Sequence, residues 1–331
     1  MRSWLTRRWY QPRPAPLGLR PLAALYGLIA AQRRRRLQAE AARVRLRVPV
    51  IVVGNLSVGG TGKTPFVLWL VDRLREWGWR PGVISRGYGG RAAHYPLRVS
   101  ADSDPAEVGD EPALIAWRSG VPVVVDPDRL RAARALDAEV DVLIADDGLQ
   151  HYRLPRQVEI VVVDGQRGFG NGALLPAGPL REPISRLAEV DLVVVNGGGL
   201  RVQGPPCVDM QLPGAHAFNL REPSRVRALR DFRGESVHAM AGIGHPERFF
   251  QLLEREGLHL VRHPFADHQA YQPAQIEWHD SRPVLMTEKD AVKCRHWVDA
   301  RYWSVPVTAQ LDPAATQRVR ESLLSRLTSF P

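Results

Sequence analysis

Cysteine is nearly absent from this 331-residue chain: Cys207 and Cys294 stand far apart, with no C-x-x-C around either. That excludes a disulfide scaffold and a zinc ribbon and fits a reducing compartment. Lysine is scarce too, three against 42 arginines. The apolar run in the N-terminal region, Leu22 to Ala31, is half the ~20 residues that a membrane-spanning helix needs, so it is not a conventional transmembrane segment. No stretch repeats at a fixed period. What is present, 44% hydrophobic and 24% charged residues, is a globular composition with room for at least one full core.

Positive charge is also missing from most of the chain, although the total is +10. Residues 1–47 hold twelve arginines and one acid, Glu40, and carry +11; the remaining 284 residues, with 33 basic and 34 acidic side chains, carry −1. A neutral globule with a cationic arm has no excess charge to spread over a duplex, so no nucleic-acid partner is expected. Within the arm, Leu22, Leu25, Tyr26 and Ile29 recur at helical spacing, Trp4, Trp9 and Tyr10 supply interfacial aromatics, and Arg33 to Arg36 close the segment. This reads as a helix lying among the headgroups of an anionic leaflet. Two other readings stay open: a twin-arginine export signal from Arg7-Arg8, which the four arginines after the apolar run oppose, and packing of the small face, Ala23, Gly27 and Ala30, on the protein's own core.

From Pro49 onward, short β-branched runs (Val50–Val53, Gly82–Ser85, Pro122–Val125, Val142–Ala145, Glu159–Val163, Leu192–Val195) alternate with helical stretches, which predicts a parallel α/β sheet covered on both faces. A second set, Val237–Ala241, His259–Arg262, Val284–Thr287 and Tyr302–Val305, follows with helices near 247–256 and 313–327. The expected fold class is α/β, a P-loop NTPase-like parallel-sheet domain with a second, smaller α/β domain. The expected division is an arm over 1–47, a P-loop domain over 48–225 and a C-terminal α/β domain over 226–331.

Ser57-Val58-Gly59-Gly60-Thr61-Gly62-Lys63-Thr64 follows an apolar strand and opens a helix. In that context the glycines let backbone N–H groups curl around phosphate oxygens, Lys63 reaches the β/γ oxygens and Thr64 holds Mg²⁺. Ser57 stands where the strict pattern has glycine. Asp146 and Asp147 end the strand Val142–Ala145, where a Mg²⁺ carboxylate belongs, beside the phosphate loop at the carboxyl edge of the sheet. ATP and Mg²⁺ are the cofactors these residues call for.

Asp146-Asp147-Gly148-Leu149-Gln150-His151, the loop SVGGTGKTP and Ser85-Arg86-Gly87-Tyr88-Gly89 together resemble the tetraacyldisaccharide 4′-kinase family of lipid A biosynthesis. Gly109-Asp110-Glu111-Pro112, Leu175 to Pro183, Phe265-Ala266-Asp267-His268 and Thr287 to Val292 run in family order as well, so the resemblance covers nearly the whole chain. Leu149 departs from it, standing where the family pattern has Phe. The resemblance implies transfer of the γ-phosphoryl group of ATP to the 4′-hydroxyl of an acylated disaccharide 1-phosphate lipid. By matching position, Asp110 is the base, His268 its orienting partner and Lys63 a catalytic phosphate ligand. Taken alone, Asp110 reads as a helix cap and His268 as a solvated loop residue. Tyr88, Arg181 and Glu182 are candidate substrate contacts. His263, Asp267 and His268 do not complete a metal site.

The resemblance further implies a peripheral enzyme at the cytoplasmic face of the inner membrane, with an anionic membrane surface as partner and no obligate protein partner. The rival reading is a membrane-associated P-loop switch ATPase that regulates a protein partner. It has no use for an Asp110–His268 pair that deprotonates a hydroxyl. Deletion of residues 1–36 is expected to weaken liposome binding far more than ATP binding.

Overall fold

Five strands built almost entirely from buried aliphatic side chains dictate the first architecture: Val50–Gly54, Pro81–Ser85, Val142–Asp146, Val158–Asp164 and Leu192–Asn196. Strands apolar on both faces must be covered on both, and parallel pairing with helical crossovers achieves that. In the computed structural model, which describes residues 8–11 and 13–330, they form a parallel sheet in the order Pro81–Ser85, Val142–Asp146, Val50–Gly54, Val158–Asp164, Leu192–Asn196, with Cys207–Met210 added at the far edge. The helix Lys63–Glu76 lays Phe66, Val67, Leu70, Val71 and Leu74 against the sheet. Asp128 accepts from Leu130 N and caps the helix Arg129–Arg134.

This sheet belongs to a unit made of Met1–Arg86, Asp126–Gln211 and Gln310–Pro331. The other unit comprises Gly87–Val125 and Leu212–Ala309. Its sheet runs Val226–Ala228, His216–Asn219, Tyr302–Val305, Val284–Thr287, Ser236–Ala241, His259–Pro264, the last four strands parallel and the first two antiparallel. Leu97–Val99 and Val123–Val125 pair antiparallel in the same unit. Its core gathers Phe232, Phe250, Leu253, Leu285 and Trp303. The parallel α/β fold expected from the alternating apolar runs is thus the fold found. The strands Cys207–Met210, His216–Asn219 and Val226–Ala228 fall in a stretch that reads as aperiodic.

Trp4 and Arg7 of the arm lie outside the described residues. Arg20–Ala41 is one helix. Its small face meets the first unit: Ala23 is buried, and a Cβ on Gly27 would come within 2.7 Å of Leu174 Cδ1. Leu22, Leu25, Leu28 and Ile29 are turned outward, each more than half exposed. Tyr26 leaves the apolar face on which its spacing put it, and its hydroxyl donates to the Arg181 carbonyl at 3.1 Å. Ahead of the helix, Trp9 Nε1 donates to Pro176 O at 3.2 Å, and the Tyr10 hydroxyl donates to Val58 O at 3.3 Å. Among the described residues, no helix is long and apolar enough to cross a membrane.

Candidate active site

The strand Val50–Gly54 delivers the chain to the loop 55–62, and the loop delivers it to the helix that starts at Lys63. Gly59 and Gly62 take φ of +102° and +95°, conformations that L side chains rarely adopt. Gly62 is pressed from one side, since a Cβ there would lie 2.5 Å from Asn196 Nδ2. Asn196 in turn donates to the Thr61 carbonyl at 3.0 Å, which ties the loop to the end of a neighbouring strand. On the other side, Val58 N donates to Pro179 O at 2.9 Å, Arg181 N donates to Leu56 O at 2.7 Å, and Ser57 bridges Leu180. Gly60 is exposed with open space around it. The loop is therefore anchored at its flanks and open at its crown, above the unpaired N–H groups of a helix start.

Asp146 pairs in register with Val53, so the two acids emerge beside the strand that feeds the loop. Asp147 lies 3.5 Å from Lys63 Nζ, and Arg181 donates to it through Nη2 at 3.0 Å and Nη1 at 3.3 Å. Burial pushes its carboxyl pKa upward, but Lys63, Arg181 and Arg129 outweigh that and hold it well below the usual carboxylate range. Arg129 donates to the Asp147 carbonyl at 3.4 Å; burial pushes its guanidinium pKa down to about 10 against the pull of Asp147 and Asp146. Arg181 also donates to Asn55. Glu182 is buried, accepting from Gln150 Nε2 at 3.1 Å and from the Tyr152 hydroxyl. Leu149 is fully buried against Gly54.

The oxygen donors here, Thr64, Asp146 and Asp147, are hard ligands of the kind Mg²⁺ takes alongside phosphate oxygens and water. Among the described residues, no three His, Cys, Asp or Glu side chains form a metal cage. A cation at this loop would therefore complete its shell from a bound nucleotide, as Mg²⁺ does.

The second unit holds a separate constellation. Asp110 opens the helix Asp110–Ser119 and is buried; its Oδ2 lies 3.2 Å from His268 Nδ1. His268 sits at φ +61°. That hydrogen bond to Asp110 raises the His268 pKa above the ordinary imidazole value against the effect of burial. The Tyr88 ring meets the imidazole edge-on at 5.0 Å. Neighbouring Asp267 and Glu111 share the ammonium of Lys289.

Of the residues singled out from the sequence, the first unit brings together Lys63, Asp147 and Arg181 beside the loop, and the second brings together Asp110, His268 and Tyr88. Sequence reasoning missed Asn55, Arg129, Asn196 and Lys293, and gave Lys289 no role beyond its place in the segment Thr287 to Val292. Asn196 had a signal, a polar residue ending an apolar strand, the same rule that singles out Asp146.

A parallel sheet, a glycine turn closing on a helix start with Lys63 and Thr64, and paired acids at the end of the adjacent strand define a P-loop nucleotide enzyme. The class narrows when whole chains are compared. This chain belongs to the tetraacyldisaccharide-1-P 4′-kinase family, whose sequence profile matches residues 15–327. It is 52% identical over 314 residues to the tetraacyldisaccharide 4′-kinase of Stenotrophomonas maltophilia, covering 93% of this chain and 92% of that protein. It is 53% identical over 316 residues to that of Alkalilimnicola ehrlichii, covering 94% and 93%. The crystal structure of LpxK from Aquifex aeolicus in complex with ATP superposes with a TM-score of 0.76 at 28% identity, covering 92% of this chain and 98% of that one.

Proposed function

We infer that the chain transfers the γ-phosphoryl group of ATP to the 4′-hydroxyl of a tetraacyldisaccharide 1-phosphate, making the bisphosphorylated lipid A precursor lipid IVA. The observation that carries this reading is family membership across residues 15–327 together with an intact phosphate loop. Phosphoryl transfer asks the protein for positioning and charge neutralisation. The loop amides and the helix start receive the phosphates, Lys63 meets the charge on the β/γ oxygens, and Arg181 adds a second cation beside Asp147. Thr64, Asp146 and Asp147 would hold Mg²⁺, which supplies charge neutralisation on the phosphate oxygens when bound. Asp110 accepts the proton of the attacking hydroxyl, and His268, donating from Nδ1, keeps the carboxylate oriented.

The acceptor is a lipid, and the arm suits an enzyme that works at a bilayer surface. Its helix turns Leu22, Leu25, Leu28 and Ile29 outward and presents Arg33, Arg35 and Arg36 to solvent just beyond them. A peripheral position on the cytoplasmic face of the inner membrane, where ATP is available, follows from this reading. The direct test gives purified protein ATP, Mg²⁺ and the tetraacyl disaccharide 1-phosphate in mixed micelles, with mass spectrometry of the product. A 4′-phosphorylated lipid is expected, and ATP hydrolysis without acceptor phosphorylation would sink the reading. Asp110→Asn and Lys63→Ala should each lower turnover by about two to four orders of magnitude, the usual weight of a general base or an electrostatic anchor. Near-normal turnover in Asp110→Asn would remove Asp110 as the base.

A further inference from the structure

The chain uses arginine almost everywhere, yet two of its three lysines fall in one short segment, Thr287-Glu288-Lys289-Asp290-Ala291-Val292-Lys293. Thr287 caps the helix Glu288–Cys294 through Asp290 N, and the helix points both lysines toward the Asp110–His268 pair. Lys289 Nζ lies 2.7 Å from Glu111 Oε1, 3.1 Å from Asp267 Oδ1 and 3.3 Å from His268 Nε2. An ammonium has three N–H donors and no acceptor, so a lysine that meets Nε2 makes that nitrogen the acceptor. The ring proton is then on Nδ1, 3.2 Å from Asp110 Oδ2, where it is donated. Three acceptors gathered on one nitrogen suit a compact ammonium and not the planar fork of arginine.

The charges around the imidazole give this contact its consequence. Asp110 faces Nδ1, while Glu111 Oε1 and Asp267 Oδ1 each lie 3.8 Å from Nε2. Lys293 lies 3.9 Å from Asp110 but is engaged with Asp290 at 3.0 Å, the Gln269 carbonyl at 3.1 Å and the Tyr271 ring. Tyr88 contributes only its ring edge. Three carboxylates around one histidine would hold it as imidazolium, and an imidazolium beside Asp110 would weaken that carboxylate as a base. Lys289 stands among the acids on the Nε2 side and offsets them. Burial works against its own charge, and Glu111 and Asp267 outweigh that.

We propose that Lys289 is a positioning residue of the Asp110–His268 pair, opposing the protonation that the surrounding carboxylates favour and directing the ring proton of His268 to Nδ1, from which it is donated to Asp110. The proposal rests on Asp110 being the base. Its test reads the histidine directly, by NMR titration of the His268 ring in the full-length chain, assigned with His268→Gln. In Lys289→Met the titration midpoint should rise by about one pH unit or more, the size of shift that uncompensated charges within ~4–6 Å produce. Lys289→Arg should stay nearer to the native midpoint, and adding Glu111→Gln to Lys289→Met should bring it back down. Glu111→Gln alone, which leaves the lysine in place, should lower it. An unchanged midpoint in both Lys289→Met and Glu111→Gln overturns the proposal. The acid limb of kcat/KM should follow the midpoint while KM for ATP stays put. A midpoint that moves without the acid limb supports Lys289 as assigned and counts instead against Asp110 as the base.

Discussion

Three glycines in the phosphate loop give a graded test of how much of its shape is built into the chain. A methyl on Gly60 meets nothing within 4 Å, and Gly60 is not among the positive-φ glycines, so Gly60→Ala should leave the folded state as stable as the native one. Gly59 has φ +102° and its nearest neighbour is Arg167 Nη1 at 3.9 Å. Gly59→Ala therefore meets backbone strain alone, about 1–2 kcal/mol. Gly62 has φ +95° and would also drive a Cβ to 2.5 Å from Asn196 Nδ2, displacing the amide that holds the Thr61 carbonyl. Losing that buried hydrogen bond adds about 1 kcal/mol, for roughly 2–3 kcal/mol in all. At about 2–4 °C per kcal/mol for a chain of this size class, thermal unfolding without nucleotide should rank Gly60→Ala near the native protein, Gly59→Ala a few degrees lower and Gly62→Ala lowest by about 4–12 °C. A Gly62→Ala protein as stable as Gly60→Ala would refute the reasoning. A Gly60→Ala protein that keeps its stability but loses ATP binding would mean that phosphate oxygens need the open space over the crown.

Two further outcomes can be checked. Leu25 and Leu28 are 54% and 71% exposed, and completing the burial of two such side chains in a bilayer contributes about 2–3 kcal/mol. Leu25→Ser with Leu28→Ser should lower partitioning onto anionic vesicles by roughly 30–150-fold in co-sedimentation, with ATP binding retained; undiminished partitioning would remove this face as the membrane contact. The His151 pKa is pushed down to about 4, chiefly by burial and then by Arg129. A histidine kept neutral by the fold gives stability that is fully present above about pH 6.5 and is lost as pH falls toward 4. Because His151 is only partly buried, the native protein should lose about 1–2 kcal/mol more than His151→Gln between pH 7 and 4.5 in urea unfolding; parallel losses would show that His151 does not titrate in this window.

What could be read in advance followed burial and pattern. Val50–Gly54, Val142–Asp146 and Leu192–Asn196 announce themselves because a strand apolar on both faces has no polar alternation to confuse it. Cys207–Met210 and His216–Asn219 are four residues each, alternate in burial and are separated from one another by proline and glycine, so neither carries enough pattern to stand out before its pairing with Leu192–Asn196, Val226–Ala228 and Tyr302–Val305 is known. The phosphate loop was legible because its chemistry is local, eight successive residues on a strand and a helix. Asp110 and His268 were legible only through family resemblance, since 158 positions separate two side chains that share a hydrogen bond. Lys289 was visible as part of a motif, but its contacts with Glu111, Asp267 and His268 come from two other segments and exist only in the fold.

The arm turns leucines outward, and its inward side holds backbone carbonyls of the first unit. Tyr10 holds the Val58 carbonyl of the phosphate loop, Tyr26 holds the carbonyl of Arg181, and Trp9 holds that of Pro176. The segment proposed above to meet the bilayer is also a splint on the nucleotide-binding loop and on residues 175–183 beside it. Removing residues 1–36 is then two lesions in one, and a shortened chain that turns over poorly in detergent would say nothing about lipid affinity. Serine substitutions on the outer leucines leave the splint in place and isolate the membrane's share.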